Sequence, residues 1–203
     1  YVPDGGNAVG ATLPGAIPHR GPGGKALEPA GLDARAMLER NLRAYVLHGG
    51  IEPDADVSAG PAADALARAS FVLALTPYAP ASVLKVAHVV LPIGTYAETS
   101  GTFVNLEGRW QSFVAAARAL DECRPGWKVL RVLGNLLNLP GFEFESSEQV
   151  RAELQALLGE AATAPADTAY RGTRPLDGPR GGRIVDVPLY QGDPVVRRAP
   201  ALQ

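Results

Sequence analysis

The 203-residue sequence contains a single cysteine, Cys123. One thiol excludes a disulfide framework within the chain, and it excludes any site that needs two or more thiolates. An iron–sulfur cluster and a structural zinc site of the four-cysteine kind are therefore excluded from this chain. Any electron transfer around the chain would have to use centres held elsewhere.

Strong net charge and long apolar runs are also missing. The formal net charge of -2 and the pI near 5.9 provide no field that would collect nucleic acid or anionic lipid. No window approaches the ~18 consecutive apolar residues of a membrane span. The first residues lack both an initiator methionine and the plan of a signal peptide, so we expect a piece of a longer polypeptide. The apolar content of 46% is enough for a core.

Three common kinds of chemical site lack the residues they require. The stretches GGNAVGA and HRGPGGKA depart from the spacing of phosphate-binding loops, which favours turns. His19, His48 and His88 show no i, i+4 pairing and predict no metal site. No Gly-x-Ser-x-Gly elbow is present, and the acidic neighbours of Cys123 do not activate a thiolate. We therefore predict no catalytic residue and no metal ligand.

The first half of the sequence alternates between helix and strand patterns. Residues 1–31 are rich in glycine and proline, and we predict an irregular N-terminal segment that lies on a neighbour. A short helix is predicted over 32–41, with Asp33 near its start, and a strand buried on both faces over 43–50.

The pattern then repeats along the chain. Helices are predicted over 62–70 and 81–87, and strands over 71–78 and 88–94. Short right-handed crossovers between such units give a parallel sheet covered by helices. The sequence therefore predicts an α/β fold with a Rossmann-like parallel sheet of at least three strands.

A hairpin, two helices and an irregular tail are predicted after the sheet. The segment NLEG would form the turn of the hairpin, and Pro125 would begin a helix that ends before Gly141. Ser146 and Gln149 form a capping box for the next helix. We divide the chain into an N-terminal segment over 1–31, an α/β domain over 32–160, and a linker with a C-terminal arm over 161–203.

The C-terminal arm has two predicted features. A strand is predicted over 184–192, and Pro188 within it predicts a position at the edge of a sheet. Several arginines of the arm and the basic stretch 20–25 lie in chain predicted to be flexible, where they are either solvated or dock on an acidic partner surface. The arm arginines are Arg171, Arg174, Arg180, Arg183, Arg197 and Arg198.

The segment ETSGTFVNLEGRWQ, residues 98–111, directly follows an apolar strand pattern. Glycine permits backbone angles denied to other residues, Asn105 can bridge a turn, and Glu107 and Arg109 can pair across it. One interpretation is a self-braced hairpin at the carboxyl edge of the sheet. The other is a loop facing the crevice where open parallel sheets bind ligands. The residues alone favour the structural interpretation.

The same segment resembles the molybdopterin oxidoreductase superfamily, whose members carry a Val-Val-Leu-Pro run, a spacer, Glu, Gly-Thr-Phe, Asn and Glu-Gly-Arg. One departure is His88, where the family commonly has aspartate. The similarity covers most of residues 1–140 and about 184–203. The matching residues, which the resemblance implies are structural or face a vestigial cofactor crevice, are Glu98, Gly101, Thr102, Asn105, Glu107, Gly108 and Arg109.

Within that superfamily, the stretches GGNAVGATLPGAIPHRGPGG near the start and VVRRAPALQ at the end resemble the large iron–sulfur subunit of bacterial respiratory complex I, the NADH–quinone oxidoreductase. This resemblance implies a scaffold that supports electron transfer without chemistry of its own and holds no cofactor. The iron–sulfur clusters would belong to an amino-terminal part of the parent subunit. The implied partners are that part and other peripheral-arm subunits, with no nucleic acid. The implied location is the cytoplasmic side of the bacterial inner membrane, reached through the complex.

Two alternatives remain open. The first is a fragment of a molybdopterin-dependent oxidoreductase, of the formate dehydrogenase kind, in which the segment 98–109 would line the cofactor. The second is a free-standing α/β ligand-binding module with a closed pocket. A fragment, unlike a free-standing module, would expose apolar surface and self-associate.

Overall fold

The computed structural model describes residues 6–56, 62–162 and 193–202. A parallel sheet lies at its centre, with strands in the order β1 (Ala44–His48), β2 (Phe71–Thr76) and β3 (Val89–Pro92). An antiparallel hairpin of β4 (Gly101–Val104) and β5 (Trp110–Phe113) follows the sheet. The predicted α/β class, with a parallel sheet followed by a hairpin, is confirmed.

Helices precede, separate and follow these strands. The α-helices of the described residues are α1 (Ala8–Thr12), α2 (Ala34–Glu39), α3 (Ala62–Ala67), α4 (Ala81–Val86), α5 (Gly126–Leu136) and α6 (Ser147–Leu158). None of the helices in the described part is both long enough and apolar enough to cross a bilayer.

The helix starts follow the capping residues that the sequence contains. Asp33 precedes α2, and its Oδ1 accepts a hydrogen bond from the Ala36 backbone N at 2.8 Å. Ser146 precedes α6, and its Oγ accepts from the Gln149 backbone N at 3.3 Å. Each cap satisfies one of the backbone donors that a helix leaves unpaired at its N-terminus. The predicted helices over 32–41 and after Ser146 are thus confirmed.

The main core lies between one face of the sheet and helices α2, α3 and α4. Tyr45 of β1 and Val72 of β2 pack there against Leu66 and Val86. The Tyr45 hydroxyl donates to the Met37 backbone O at 2.9 Å and accepts from the backbone N–H of Leu42 at 3.0 Å. This buried hydroxyl is therefore satisfied, and it ties the end of α2 to the sheet.

The second face of the sheet has much less cover. Leu73, Leu75 and Ile93 pack there against Val129 and Leu133 of α5. Side chains alternate between the two faces along a strand, so these residues lie opposite the main core. One helix is too narrow to cover three strands, and part of this face stays exposed.

This exposure corrects the prediction that β1 is buried on both faces. Val46 in the middle of β1 is 56% exposed, and Val89 and Leu91 of β3 are 40% and 37% exposed. Among the described strands of this sheet, β2 is the one with neighbours on both sides, and it is buried from Val72 to Thr76. Part of the apolar run of β1 therefore lies on a sheet face that α5 does not cover.

The N-terminal segment, predicted to be irregular, contains the short helix α1. It lies on the hairpin, as Asn7 Oδ1 accepts a hydrogen bond from the Val104 backbone N at 2.8 Å. In the C-terminal arm, residues 161–162 and 193–202 are described, whereas most of the predicted linker and the predicted strand over 184–192 lie outside the described residues.

A pair of equal substitutions tests the unequal burial of the two sheet faces. We expect Val72→Ala to lower the free energy of unfolding by about 2 kcal/mol, because a fully buried side chain loses its contacts. Val46→Ala should cost about 0.5 kcal/mol or less, because that side chain is largely exposed. Urea denaturation of the chain measures both values, and equal losses would contradict the assignment of the exposed face.

Candidate functional site

A crevice of about 650 Å³ lies at the carboxyl ends of the three parallel strands. His48 and Gly49 follow β1 at its wall, Pro77 and Tyr78 follow β2, and the turn after β3 completes this side. The hairpin, α6 and the first residues of α5 form the remaining walls. The carboxyl edge of an open parallel sheet is where such folds bind ligands, so the crevice is the candidate site.

Aromatic side chains line much of the crevice. They are Tyr78, Tyr96, Phe103, Trp110, Phe113 and Trp127. Phe103 and Phe113 pair across the hairpin edge to face, with centroids 5.2 Å apart and planes at 85°. Trp110 Nε1 donates to the backbone O of Ala162 at 2.7 Å. Both tryptophans of the chain are thus held in this wall.

Glu98 braces the turn that leads from β3 into the hairpin. Its Oε2 accepts hydrogen bonds from the backbone N and the Oγ1 of Thr95, at 2.8 and 2.9 Å. Its Oε1 accepts from the backbone N of Leu120 at 3.0 Å. Hydrogen bonds from the Thr95 backbone, and then from its hydroxyl, hold the pKa of Glu98 below the ordinary 4.5. Both carboxylate oxygens are therefore engaged within the chain.

Asn105 closes the tip of the hairpin. Its Oδ1 accepts hydrogen bonds from the backbone N of Glu107 at 3.1 Å and of Arg109 at 2.9 Å. Gly108 has a φ of 78°, which a residue without a Cβ adopts at little cost. The tip is therefore a turn closed by an asparagine side chain, as the sequence predicted for Asn105.

The predicted pairing of Glu107 with Arg109 is wrong. Among the described residues neither side chain forms an ion pair, and the Glu107 carboxylate only accepts from Asn105 Nδ2 at 3.4 Å. Both side chains are exposed. An exposed pair adds little stability, and Asn105 already closes the turn.

The motif residues therefore fall into two groups. Gly101 and Thr102 line the crevice, and Glu98 braces the turn beside it. A Cβ on Gly101 would lie 3.0 Å from Cζ of Phe113, so a larger residue would press on that wall. Asn105, Glu107, Gly108 and Arg109 lie at the hairpin tip, outside the set of described residues that line the crevice.

Two ionisable residues of the crevice were missed by sequence reasoning. The side chain of His48, at the end of β1, is only partly covered, and this partial burial lowers its pKa and favours the neutral ring. Arg151 reaches the crevice from α6, and its Nη1 donates to Ser112 Oγ at 2.5 Å. The position of His48 at the end of a predicted strand could have placed it in the crevice. No sequence spacing relates Arg151 to the sheet, so its place there could not be predicted.

A C-terminal clamp, residues 193–202, lies beside the crevice, to which it contributes Pro194 and Val195. Arg197 forms ion pairs with Asp56 at 2.9 Å and with Glu52 at 3.3 Å.

Arg198 also pairs with Glu52, and its guanidinium lies 4.2 Å from the ring centroid of Tyr78. Glu52 is only 6% exposed, so these charges compensate one another out of water. Arg197 and Arg198, predicted to be solvated or to bind a partner, instead bind an acidic site of their own chain.

The described residues contain no group of three or more histidine, cysteine, aspartate or glutamate side chains that could hold a metal ion.

Removal of the Asn105 side chain should loosen the hairpin. We expect Asn105→Ala to lower the free energy of unfolding by about 1–2 kcal/mol, because two backbone donors lose their acceptor. Asn105→Asp keeps an acceptor oxygen at the same place and should cost less. Urea denaturation measures both variants, and equal losses would show that the hydrogen bonds to Oδ1 are not what the turn needs.

Acidification should remove the stability that Glu98 provides. Its folded-state pKa lies below the ordinary 4.5, so this contribution is complete above about pH 4.5 and is lost as the pH falls through the folded-state value. We expect the difference in free energy of unfolding between the unchanged chain and Glu98→Gln to shrink on acidification. A difference that stayed constant with pH would contradict this role of the carboxylate.

The molybdopterin oxidoreductase family model matches residues 36–136. This range contains the whole sheet, the hairpin and α5. It therefore includes the residues that form most of the crevice and all seven predicted motif residues.

Three relatives match segments of the chain. The NADH-ubiquinone oxidoreductase 75 kDa subunit of Reclinomonas americana is 42% identical over 62 residues, which are 30% of this chain and 9% of that protein. The mitochondrial NADH-ubiquinone oxidoreductase 78 kDa subunit of Candida albicans is 46% identical over 52 residues, 26% of this chain and 7% of that protein. The nitrate reductase of Synechocystis is 28% identical over 107 residues, 52% of this chain and 15% of that protein.

The aligned segments are thus a small part of each relative. The predicted similarity to the superfamily and to a complex I subunit is confirmed, although it is limited to these segments. Residues 36–136 therefore form a molybdopterin oxidoreductase domain.

Proposed function

We propose that this chain is a scaffold domain of an NADH–quinone oxidoreductase of the complex I type, with no chemistry of its own. One observation carries the proposal: two polar side chains of the family motif, Glu98 and Asn105, brace the hairpin. Both carboxylate oxygens of Glu98 and the Oδ1 of Asn105 accept hydrogen bonds from this chain. Side chains whose oxygens already accept hydrogen bonds within the chain are suited to hold a loop in place.

The crevice does not fit the pterin cofactor that the family name implies. A phosphate-bearing pterin with a metal ion calls for several cationic or N–H donors and for a metal ligand. Among the described residues that line the crevice, Arg151 is the one permanent cation, and neither a thiol nor a carboxylate is present. This donor set supports the proposal that the chain holds no cofactor of its own.

The proposed partners are a cluster-bearing part of the same subunit and other subunits of a peripheral arm. Two relatives are subunits of NADH-ubiquinone oxidoreductases, and both are much longer than the segments they share with this chain. The exposed apolar side chains of Val46, Val89 and Leu91 suit a face that another part of such an assembly covers. We further propose a peripheral position on the cytoplasmic side of a bacterial inner membrane, reached through the complex.

A second candidate function is that of a fragment of a molybdopterin-dependent oxidoreductase. The observation that favours it is the similarity to a nitrate reductase, which extends over 52% of this chain. In such an enzyme the crevice half of the motif, Gly101 and Thr102, would lie beside the cofactor.

Substitutions in the full-length parent subunit, expressed with its complex, test the scaffold role. We expect Glu98→Ala to reduce the amount of assembled complex while turnover per assembled complex stays unchanged, because the residue positions the hairpin. Glu107→Ala is the matched control, since its carboxylate makes a single long hydrogen bond. Quantitative immunoblots and NADH–quinone oxidoreductase rates of membranes provide the two readouts.

Two outcomes would overturn the scaffold proposal. A Glu98→Ala complex that assembles normally but turns over more slowly would place the motif in the chemistry. Molybdenum or tungsten present in stoichiometric amount in the purified parent would favour the second candidate function.

A further inference from the structure

We propose that the crevice reversibly binds a small planar aromatic acid, with the ring against the aromatic wall and the carboxylate on Arg151. This inference goes beyond the scaffold role, because it assigns a ligand to a site for which the scaffold needs none. It rests on the shape of the crevice, the aromatic side chains of its wall and the few partners of the Arg151 guanidinium.

The wall of the crevice suits a flat apolar ring. At about 650 Å³ it has the volume of a small-molecule site, and parts of the sheet, hairpin, α5, α6 and C-terminal clamp enclose it. Six aromatic side chains come to it from different elements of the fold. Aromatic pairs prefer stacked or edge-to-face contacts, so this wall favours an aromatic ligand over an aliphatic one of equal size.

Arg151 provides the polar end of the site. Its one hydrogen bond to another side chain goes to the neutral hydroxyl of Ser112, and its buried Nε has no partner in the described part of the chain. Glu148, one turn earlier on α6, feels the field of this guanidinium but lies beyond ion-pair distance. The positive charge of Arg151 thus lies against an apolar wall and has no carboxylate within ion-pair distance among the described residues. Such a cation favours an anionic ligand group.

The rest of the lining limits the ligand to a single negative charge. His48 favours its neutral form, and the hydroxyl of Thr95 already donates to Glu98. The described lining contains no lysine, so a second anionic group would find no cation there. A monocarboxylate on one or two fused rings matches this wall better than a phosphorylated ligand does.

Binding can be followed at the site itself, because both tryptophans of the chain line the crevice. We expect naphthoate to shift both indole N–H signals in nitrogen–proton correlation spectra of the full 203-residue chain. Naphthamide is the neutral probe of the same shape. Loss of a charge-assisted hydrogen bond should weaken its binding about tenfold or more.

Two arginine variants assign the carboxylate contact. Arg151→Gln should reduce naphthoate affinity to that of naphthamide and leave naphthamide binding unchanged. Arg131→Gln is the matched control, because Arg131 also lies on a helix with a buried, unpartnered Nε but lines a different groove, between β3 and α5. It should change neither affinity.

Three results would overturn the inference: no shift of the indole signals with naphthoate, equal binding of both probes, or unchanged naphthoate affinity in Arg151→Gln. The comparison of the two probes needs no variant, so it stands even if Arg151→Gln does not fold. The experiment uses this chain without its complex. Its failure would leave the scaffold proposal intact, and a failure of complex assembly would not affect this test.

Discussion

The candidate site depends on the hydrogen bonds that the carboxylate of Glu98 accepts. This carboxylate joins Thr95, just after β3, to Leu120, which lies beyond the hairpin, and so fixes both ends of the intervening segment. The hairpin is held beside the carboxyl edge of the sheet, where Phe103, Trp110 and Phe113 form one wall of the crevice. A carboxylate with three donors in place has little capacity left for a ligand. The form of the crevice therefore depends on a motif residue whose two carboxylate oxygens already accept hydrogen bonds within the chain.

The contribution of a charged residue to the stability of this chain depends on its exposure to water. Glu107 and Arg109 are exposed on the hairpin tip and stay unpaired with each other. Glu52 is buried, and two arginines from the C-terminal clamp compensate it. A buried carboxylate that loses its partners is costly, whereas an exposed one is solvated at no such cost. The ion pairs of the clamp are therefore more costly to break than any contact between the exposed charges of the hairpin tip.

Local features of the fold and the parallel sheet itself could be predicted from the sequence, whereas side-chain contacts between distant segments could not. Asp33 and Ser146 cap their helices because a cap acts within one turn, and Asn105 closes its turn for the same reason. The exposure of Val46 depends on which helices cover the second face, and an apolar strand pattern does not encode this.

The crevice shows the same division. Its position at the carboxyl edge follows from the parallel sheet, so the residues at the strand ends could be anticipated. Arg151 comes from α6, far along the chain, and the clamp arginines bind Glu52 across most of the sequence. Among the described helices, α5 is the one that packs on the second face, and its position limits where a further strand could join the sheet. Crossovers in parallel sheets are right-handed, so the winding from β1 to β3 places its helices on one face. A strand reached through α5, on the other face, would join the edge of β1 that pairs with no described strand.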